Sequence, residues 1–336
     1  MYEKEYKSLT LRLGFALLLM LVLLQGLMTV LAFAQMLFQA VFIEKAADIL
    51  YWSLYNLFYL ASFMLPVPFF MLISGKKKRE PIHFEVRFPP RFALMVCACV
   101  GMILAAGQVN SLLLAPFSGE SASTDMILDM VGADKGYMVV LVFVMIVIVP
   151  AFCEEFLFRG LVLGNLLPYG KSVAIVGSAL MFAAMHQNFG QFLYTAVAGI
   201  VMGFLYVRSR SIWPSTLVHM LNNLLSFVQV ILFARIEDEM MAGRVTLCIN
   251  LAVIAAGIVC LVVLLYCEKS EKEAAPAQDG LFGHNVLQDG IDGAQSRENE
   301  LPQSTAMRKF FSPSIIAFLA LSFLLALLNL MMENLV

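Results

Sequence analysis

Three short clusters of ionisable or amide side chains lie inside apolar runs of this sequence. A charged group at such a place costs about 3 kcal/mol on an insertion scale unless it is paired or wetted, so these positions are read first as functional. The densest cluster is Pro150-Ala-Phe-Cys-Glu154-Glu155-Phe-Leu-Phe-Arg159-Gly160. On a helix, residues four apart share a face, so Glu155 and Arg159 are placed to form an ion pair along one side. Glu154 is turned about 100° away and remains freer. The spacing therefore suggests a neutralised brace, Glu155 with Arg159, and a reactive group, Glu154. Two neighbouring carboxylates in a low dielectric cannot both ionise cheaply, so one is expected to hold a proton. That is the starting point for general acid–base work on water. Pro150, one turn upstream, cannot donate to the carbonyl of Ile146, and a weakened or kinked helix is expected there. The competing reading is a buried structural salt bridge between helices, although a brace alone would not need the second glutamate.

The second cluster is Phe182-Ala-Ala-Met-His186, whose first and last residues share a helix face. A single histidine on an apolar helix is more often a packing residue than a catalyst. A second histidine in similar surroundings, with a carboxamide one turn on, shifts that balance. This is the third cluster, Trp213-Pro214-Ser-Thr-Leu-Val-His219-Met-Leu-Asn222-Asn223. Pro214 suits a first helical turn, and Trp213 suits an interfacial belt. His219 and Asn223 point the same way, and an imidazole and an amide on one face can donate to a developing oxyanion. A polar helix–helix contact is the alternative. Two histidines and a carboxylate from separate helices could also hold zinc. The HExxH pattern of zinc proteases is absent, and Arg159 would place one cation beside another. No GxSxG elbow supports serine catalysis, and no pair of intramembrane aspartates is present.

The elements that must position these residues follow from composition. The chain is 61% apolar and 14% charged, against about 25% charged for a soluble domain, so a membrane protein is expected. Its net charge of −2 and short basic clusters point away from nucleic acid. Apolar runs long enough for a hydrocarbon core of about 30 Å occur at 12–39, 49–73, 91–116, 137–163, 172–188, 190–207, 212–234, 245–267 and 310–332. The expected fold is thus an all-α integral membrane bundle of eight or nine transmembrane helices, with a polar intramembrane cavity. The short pair 172–188 and 190–207, separated only by Phe189 and Gly190, leaves the number open. The first run is too long for a signal-peptide core and reads as a retained helix. Lys76–Arg79 with Arg87 and Arg91 marks a cytoplasmic loop, and the 117–136 loop, with Glu120, Asp125, Asp129 and Asp134, falls outside. The six cysteines lie in or beside apolar runs without a CxxC pair and read as small hydrophobes. Residues 268–309 read as a disordered linker before a last, accessory or partner-binding helix. No internal repeat supports a transporter. The division is then 1–136 for N-terminal helices and loops, 137–235 for the core, 236–267 for a further helix, 268–309 for the linker and 310–336 for the last helix.

Taken together, EExxxR at Glu154-Glu155-Phe-Leu-Phe-Arg159, FxxxH at Phe182 to His186 and HxxxN at His219 to Asn223 resemble the CAAX-protease and bacteriocin-processing (Abi) family of intramembrane proteases. The likeness covers residues 137–235. It implies about eight membrane helices and a glutamate-type endopeptidase related to type II CAAX prenyl endopeptidases, with a metalloendopeptidase as the minority mechanism. It implies Glu154 as the base that activates water, aided by His186, Glu155 and Arg159 as support, and His219 and Asn223 as oxyanion ligands. It also implies a membrane-bound or lipidated peptide substrate, no cofactor, and a site open to the cytosol in a multi-pass protein of a bacterial plasma membrane. A non-catalytic scaffold or bacteriocin self-immunity protein of the same fold is the alternative. One tension remains in the counting. At 1.5 Å per residue, Glu154 lies about 25 Å from Tyr137 and His219 about 10 Å from Ile212, on one side. His186, about 22 Å from Lys171, comes out deeper than both.

Overall fold

Without water to bond exposed N–H and C=O groups, an apolar chain of this composition can cross a membrane only as helices or a closed barrel. A computed structural model describes residues 2–75, 82–86, 88, 90–114, 127–128, 130–131, 136–274 and 302–333. Among them helix dominates and no strand occurs. The basic run Lys76–Arg79 with Arg87, the acidic residues of the 117–136 loop and most of the 268–309 segment lie outside the described residues.

The helices are α1 (Tyr2–Val41), α2 (Glu44–Met64), α3 (Pro66–Ser74), α4 (Phe92–Leu114), α5 (Gly136–Tyr169), α6 (Lys171–Met185), α7 (Phe189–Ser209), α8 (Ile212–Arg235), α9 (Glu239–Ala274), α10 (Gln303–Phe310) and α11 (Pro313–Glu333). Pro66 separates α2 from α3, since it cannot bond back into the preceding turn. Among the described residues, eight spans are long and apolar enough to cross a membrane: α1, α2 with α3, α4, α5, α7, α8, α9 and α11. The protein is an all-α, multi-pass integral membrane protein. The ninth run is α6, only 15 residues long and too short to span alone. Its break from α7 falls at residues 186–188 and not at Phe189 and Gly190. Gln187 adopts a left-handed conformation (φ 51°) and Asn188 an extended one, so the chain turns before Phe189 opens the next helix.

The core gathers side chains from α1 to α8, joined by residues of α9, α10 and α11. The helices α4 and α9 lie so close that a Cβ on Gly101 would stand 2.7 Å from the Cα of Gly257. Such approach of backbones is how helices associate in lipid, where hydrophobic burial gives no net drive. The cysteines are unpaired thiols; Cys99 and Cys153 are buried, whereas Cys248 is exposed on the outward face of α9. The segment read as a linker is helical at both described ends, in the last turn of α9 and in α10. The latter is docked by Phe310 against Gly177 of α6 and by Lys309, whose Nζ lies 2.6 Å from Glu3.

Candidate active site

The α5 helix is not uniform. Two π-helical stretches, Val144–Ile148 and Phe156–Leu163, flank about two α-helical turns, Val149–Glu155. Pro150 sits at the start of that central piece. The widened turn before it takes the place of the sharp kink expected from the sequence. π turns within α-helices recur at functional sites because they re-aim side chains.

Three charged side chains meet here with almost no exposure: Glu154 at 3%, Glu155 and Arg159 at 0%. The Arg159 Nη1 atom lies 2.8 Å from Glu155 Oε1. The same oxygen accepts from His219 Nδ1 at 3.1 Å. A carboxylate oxygen cannot donate, so Nδ1 carries the hydrogen and Nε2 is left to face the site. The guanidinium lies over the Phe182 ring, 4.5 Å from its centroid, and Nη2 reaches the carbonyl of Gly199 at 3.4 Å. Gly199 permits that reach: a Cβ there would stand 2.8 Å from the Cα of Ala179, so only glycine lets α7 lie this close to α6. Phe182 thus serves both motifs, with its ring against Arg159 and T-shaped packing on His186 and His219 at 4.9 and 5.9 Å.

Glu154 faces elsewhere. Its Oε1 accepts from the hydroxyl of Tyr59, on α2, at 2.6 Å. Its Oε2 is buried without a partner and lies 3.9 Å from His219 Nε2, too long for a direct hydrogen bond. Nothing local in the sequence singles out Tyr59. It sits among Tyr51, Trp52, Tyr55 and Phe63 in an aromatic stack, and only tertiary packing brings it to Glu154, 95 positions on.

His186, the residue that caps the C-terminus of α6, bonds through Nδ1 to the carbonyl of Phe182 at 2.9 Å. Here too Nδ1 must be the donor, which frees Nε2. Both histidines line a cavity of about 40 Å³, with Phe182, Tyr194, Asn222 and Asn223 among its walls. That volume holds a few waters at about 15 Å³ each. Glu154 is not on that lining; it is joined to it through His219. Asn223 projects from α8 and donates through Nδ2 to the carbonyl of Ile146 at 3.0 Å. This is the carbonyl that Pro150 cannot serve in an α-helical register. Asn222 donates to Tyr194 Oη at 2.5 Å. Tyr194 and Asn110, which holds the backbone N–H of Tyr194 at 3.1 Å and bonds the carbonyl of Gly190, are further residues that no sequence spacing reveals.

The mismatch of depth disappears once α5 and α6 are placed. The α5 helix runs 34 residues, about 50 Å, well beyond a single hydrocarbon thickness. The chain then reverses over Leu167–Tyr169 and Gly170, and α6 returns antiparallel. Ser178 donates to the carbonyl of Phe158 at 2.9 Å, and the rings of Phe158 and Phe182 meet at 5.4 Å. Glu154 stands fifteen residues before Tyr169 and His186 fifteen after Lys171, so the two come level. The start of α8 is also sunken. Ile212 is fully buried, and its N–H donates to the carbonyl of His83 at 3.2 Å. Ser211 Oγ and Trp213 Nε1 donate to the carbonyls of Glu85 and Phe84 at 2.6 and 2.8 Å. An extended segment, residues 82–86, therefore covers the end of α8 and brings Phe84 against Phe156 at 5.8 Å.

Among the described residues, no three His, Cys, Asp or Glu side chains are disposed to hold a metal ion. The fold and site together define a helical integral membrane protein with a buried carboxylate–histidine cluster beside a small polar cavity. Residues 136–225 match the family model for type II CAAX prenyl endopeptidase Rce1-like proteins, and that likeness of one stretch of the chain supports a protease-type enzyme. All three motifs fall inside the matched stretch. No curated protein and no solved structure matches the chain.

Proposed function

We propose that this protein is an intramembrane endopeptidase in which Glu154 activates water against a peptide bond of a membrane-bound or lipidated substrate. The observation that carries this reading is the unpartnered, buried Oε2 of Glu154, facing His219 Nε2 at 3.9 Å. A gap of that size is bridged naturally by a water. Tyr59 fixes the other oxygen and so aims Oε2.

The steps then follow from proton positions. Glu154 takes a proton from water as the hydroxide oxygen attacks the carbonyl carbon. His186 presents Nε2 on the cavity and helps orient that water. Charge develops on the carbonyl oxygen, where the second amide hydrogen of Asn223 donates, joined by His219 Nε2 only when that ring carries a second proton. Glu155, held by Arg159, keeps Nδ1–H of His219 engaged and so keeps Nε2 aimed at the site. The proton on Glu154 passes to the leaving amine as the C–N bond breaks. The products are a new carboxyl terminus and a free amine. The expected setting is a bacterial plasma membrane with the cavity open to the cytosol, the side assigned to the basic runs.

The test is cleavage of a synthetic C-terminal peptide, with and without a prenyl group, by the purified full-length protein. Glu154→Gln should lower the rate by 10²–10⁴-fold, the usual contribution of a general base, while the unfolding midpoint stays close to the parent. Cleavage at the parental rate in that variant rejects the mechanism. Activity should also persist in a strong chelator, and loss there would restore the metal mechanism. Tight peptide binding without any cleavage would identify a non-catalytic scaffold.

A further inference from the structure

The polar cavity walled by His186 and His219 holds few hydrogen-bond donors. Nδ1 donates in both rings, so their Nε2 atoms face the site without a hydrogen. Thr195, on the same wall, gives its one hydroxyl hydrogen to the carbonyl of Gln191 at 2.9 Å. On α8 each amide has only one allowed orientation. The Ile146 carbonyl only accepts, so Nδ2 of Asn223 faces it and Oδ1 faces away. That Oδ1 also only accepts, so the Asn222 atom meeting it at 3.4 Å is Nδ2. The same Nδ2 gives its other hydrogen to Tyr194 Oη at 2.5 Å. The Tyr194 oxygen is thus an acceptor toward Asn222, and its own hydrogen points elsewhere. It does not go to Asn222 Oδ1, which has no partner. Among the described side chains of this wall, two hydrogens are left for a ligand: the second amide hydrogen of Asn223 and the hydroxyl hydrogen of Tyr194.

Tyr194 is only partly buried and lies on the cavity wall. Its backbone is pinned from α4, where Asn110 accepts its N–H at 3.1 Å and also bonds the carbonyl of Gly190. Its ring lies along the same helix at Gly107, where a Cβ would stand 3.5 Å from it. The hydroxyl and the Asn223 carboxamide are both tied to one amide nitrogen, so they start from neighbouring points. Donors converging in this way hold an oxyanion. The hydrogen bond that Tyr194 accepts from Asn222 polarises its O–H and strengthens it as a donor. A phenol keeps its hydrogen across the range in which an imidazole loses one, so Tyr194 donates whatever the state of His219. We propose that Tyr194 is a catalytic residue whose hydroxyl, together with Asn223, binds the oxyanion formed when water attacks the peptide carbonyl. This rests on the reading of the cavity as the place of that attack. As the carbonyl π pair moves onto oxygen, the Tyr194 O–H and Asn223 N–H bonds tighten on it. No proton leaves Tyr194, and both contacts relax as the C=O bond re-forms and the C–N bond breaks.

The experiment combines cleavage with inhibitor binding on the full-length protein. The probes are the cleavable peptide, a phosphinate peptide that mimics the anionic tetrahedral intermediate, and a reduced-amide peptide that lacks the carbonyl oxygen. Tyr194→Phe should lower kcat by about 10²- to 10³-fold, the usual cost of one oxyanion donor, with KM near the parental value. Its affinity for the phosphinate should fall by a similar factor, and its affinity for the reduced amide should stay. Asn222→Leu, which removes the group that turns the Tyr194 hydrogen, should weaken the phosphinate by roughly three- to ten-fold and add nothing in a Tyr194→Phe background. Parental kcat in Tyr194→Phe beside a slow Glu154→Gln overturns this proposal alone. A slow Tyr194→Phe beside a parental Glu154→Gln supports it and rejects Glu154 as the base. Equal losses for phosphinate and reduced amide would show a structural role and overturn it. If Tyr194→Phe does not fold, unchanged phosphinate affinity in Asn222→Leu overturns it as well. A parent that neither cleaves nor binds the phosphinate overturns both readings.

Discussion

At the residue scale, the two adjacent glutamates differ in partners and not in burial. Glu155 is enclosed by Arg159 and His219, whereas Glu154 has one tyrosine hydroxyl and one empty oxygen. The i, i+4 rule was enough to separate them in the sequence, because the ion pair lies along one helix. Tyr59 was not legible, because its relation to Glu154 exists only once α2 packs on α5. In the proposed mechanism it is a positioning residue. Tyr59→Phe removes a hydrogen bond to a carboxylate, worth about 1.5–3 kcal/mol, so cleavage should slow by about 10- to 100-fold. The effect should fall on kcat more than on KM, since Tyr59 touches Glu154 and lies off the cavity lining. An unchanged kcat would show that Glu154 needs no such aim.

At the element scale, a proline and an asparagine on different helices answer one another. Pro150 leaves the Ile146 carbonyl without its α-helical donor, and Asn223 supplies one from α8. The sequence showed the deficit but not the remedy; HxxxN was read for oxyanion chemistry with a polar helix–helix contact as the alternative, and the Asn223–Ile146 bond is a contact of that kind. Asn223→Leu should therefore cost stability as well as activity, about 1 kcal/mol for a lost hydrogen bond. In a Pro150→Ala background the new N–H can serve Ile146, and the stability cost of Asn223→Leu should shrink. A double-mutant cycle on chemical unfolding measures that coupling. Additive costs would mean that the two residues are energetically unrelated. The depth of His186 was misjudged for a related reason. Counting inward from Lys171 and Tyr137 assumed that each run begins at a membrane edge, whereas α5 overshoots and α6 turns back beside it.

At the scale of the whole molecule, the sequence revealed the all-helical membrane class and the spans, because hydrophobic length is a local property. It did not reveal which helices touch. The last helix looked chemically silent. In the structure it packs on α1 and α6, with Ser314 donating to the carbonyl of Leu11 at 2.7 Å and Asn329 reaching Gln187. Its attachment thus rests on side-chain and backbone contacts within the bundle. Residues 1–274 and 302–336, expressed as two chains in one membrane, should accordingly co-purify and retain cleavage. Failure to co-purify would show that covalent linkage is what holds the last helix in place.

The π-helical stretches on either side of Glu154 and Glu155 have a consequence for how this helix can change. Each widened turn is in effect an α-helical turn with one residue to spare, and so it resets the angular phase of all that follows. The carboxylates are pinned at mid-helix by Tyr59 and His219. The flanking halves of α5 are therefore decoupled from them in rotation. Removing one residue from Val144–Ile148 would turn Gly136–Phe143 by about 100° against its surroundings and leave Glu154 on Tyr59 and Glu155 on Arg159 and His219. The first half of the span keeps its own packing, with Met138 and Val142 buried and Tyr137 Oη donating to Asp48 at 2.9 Å, while the chemistry keeps its bearing.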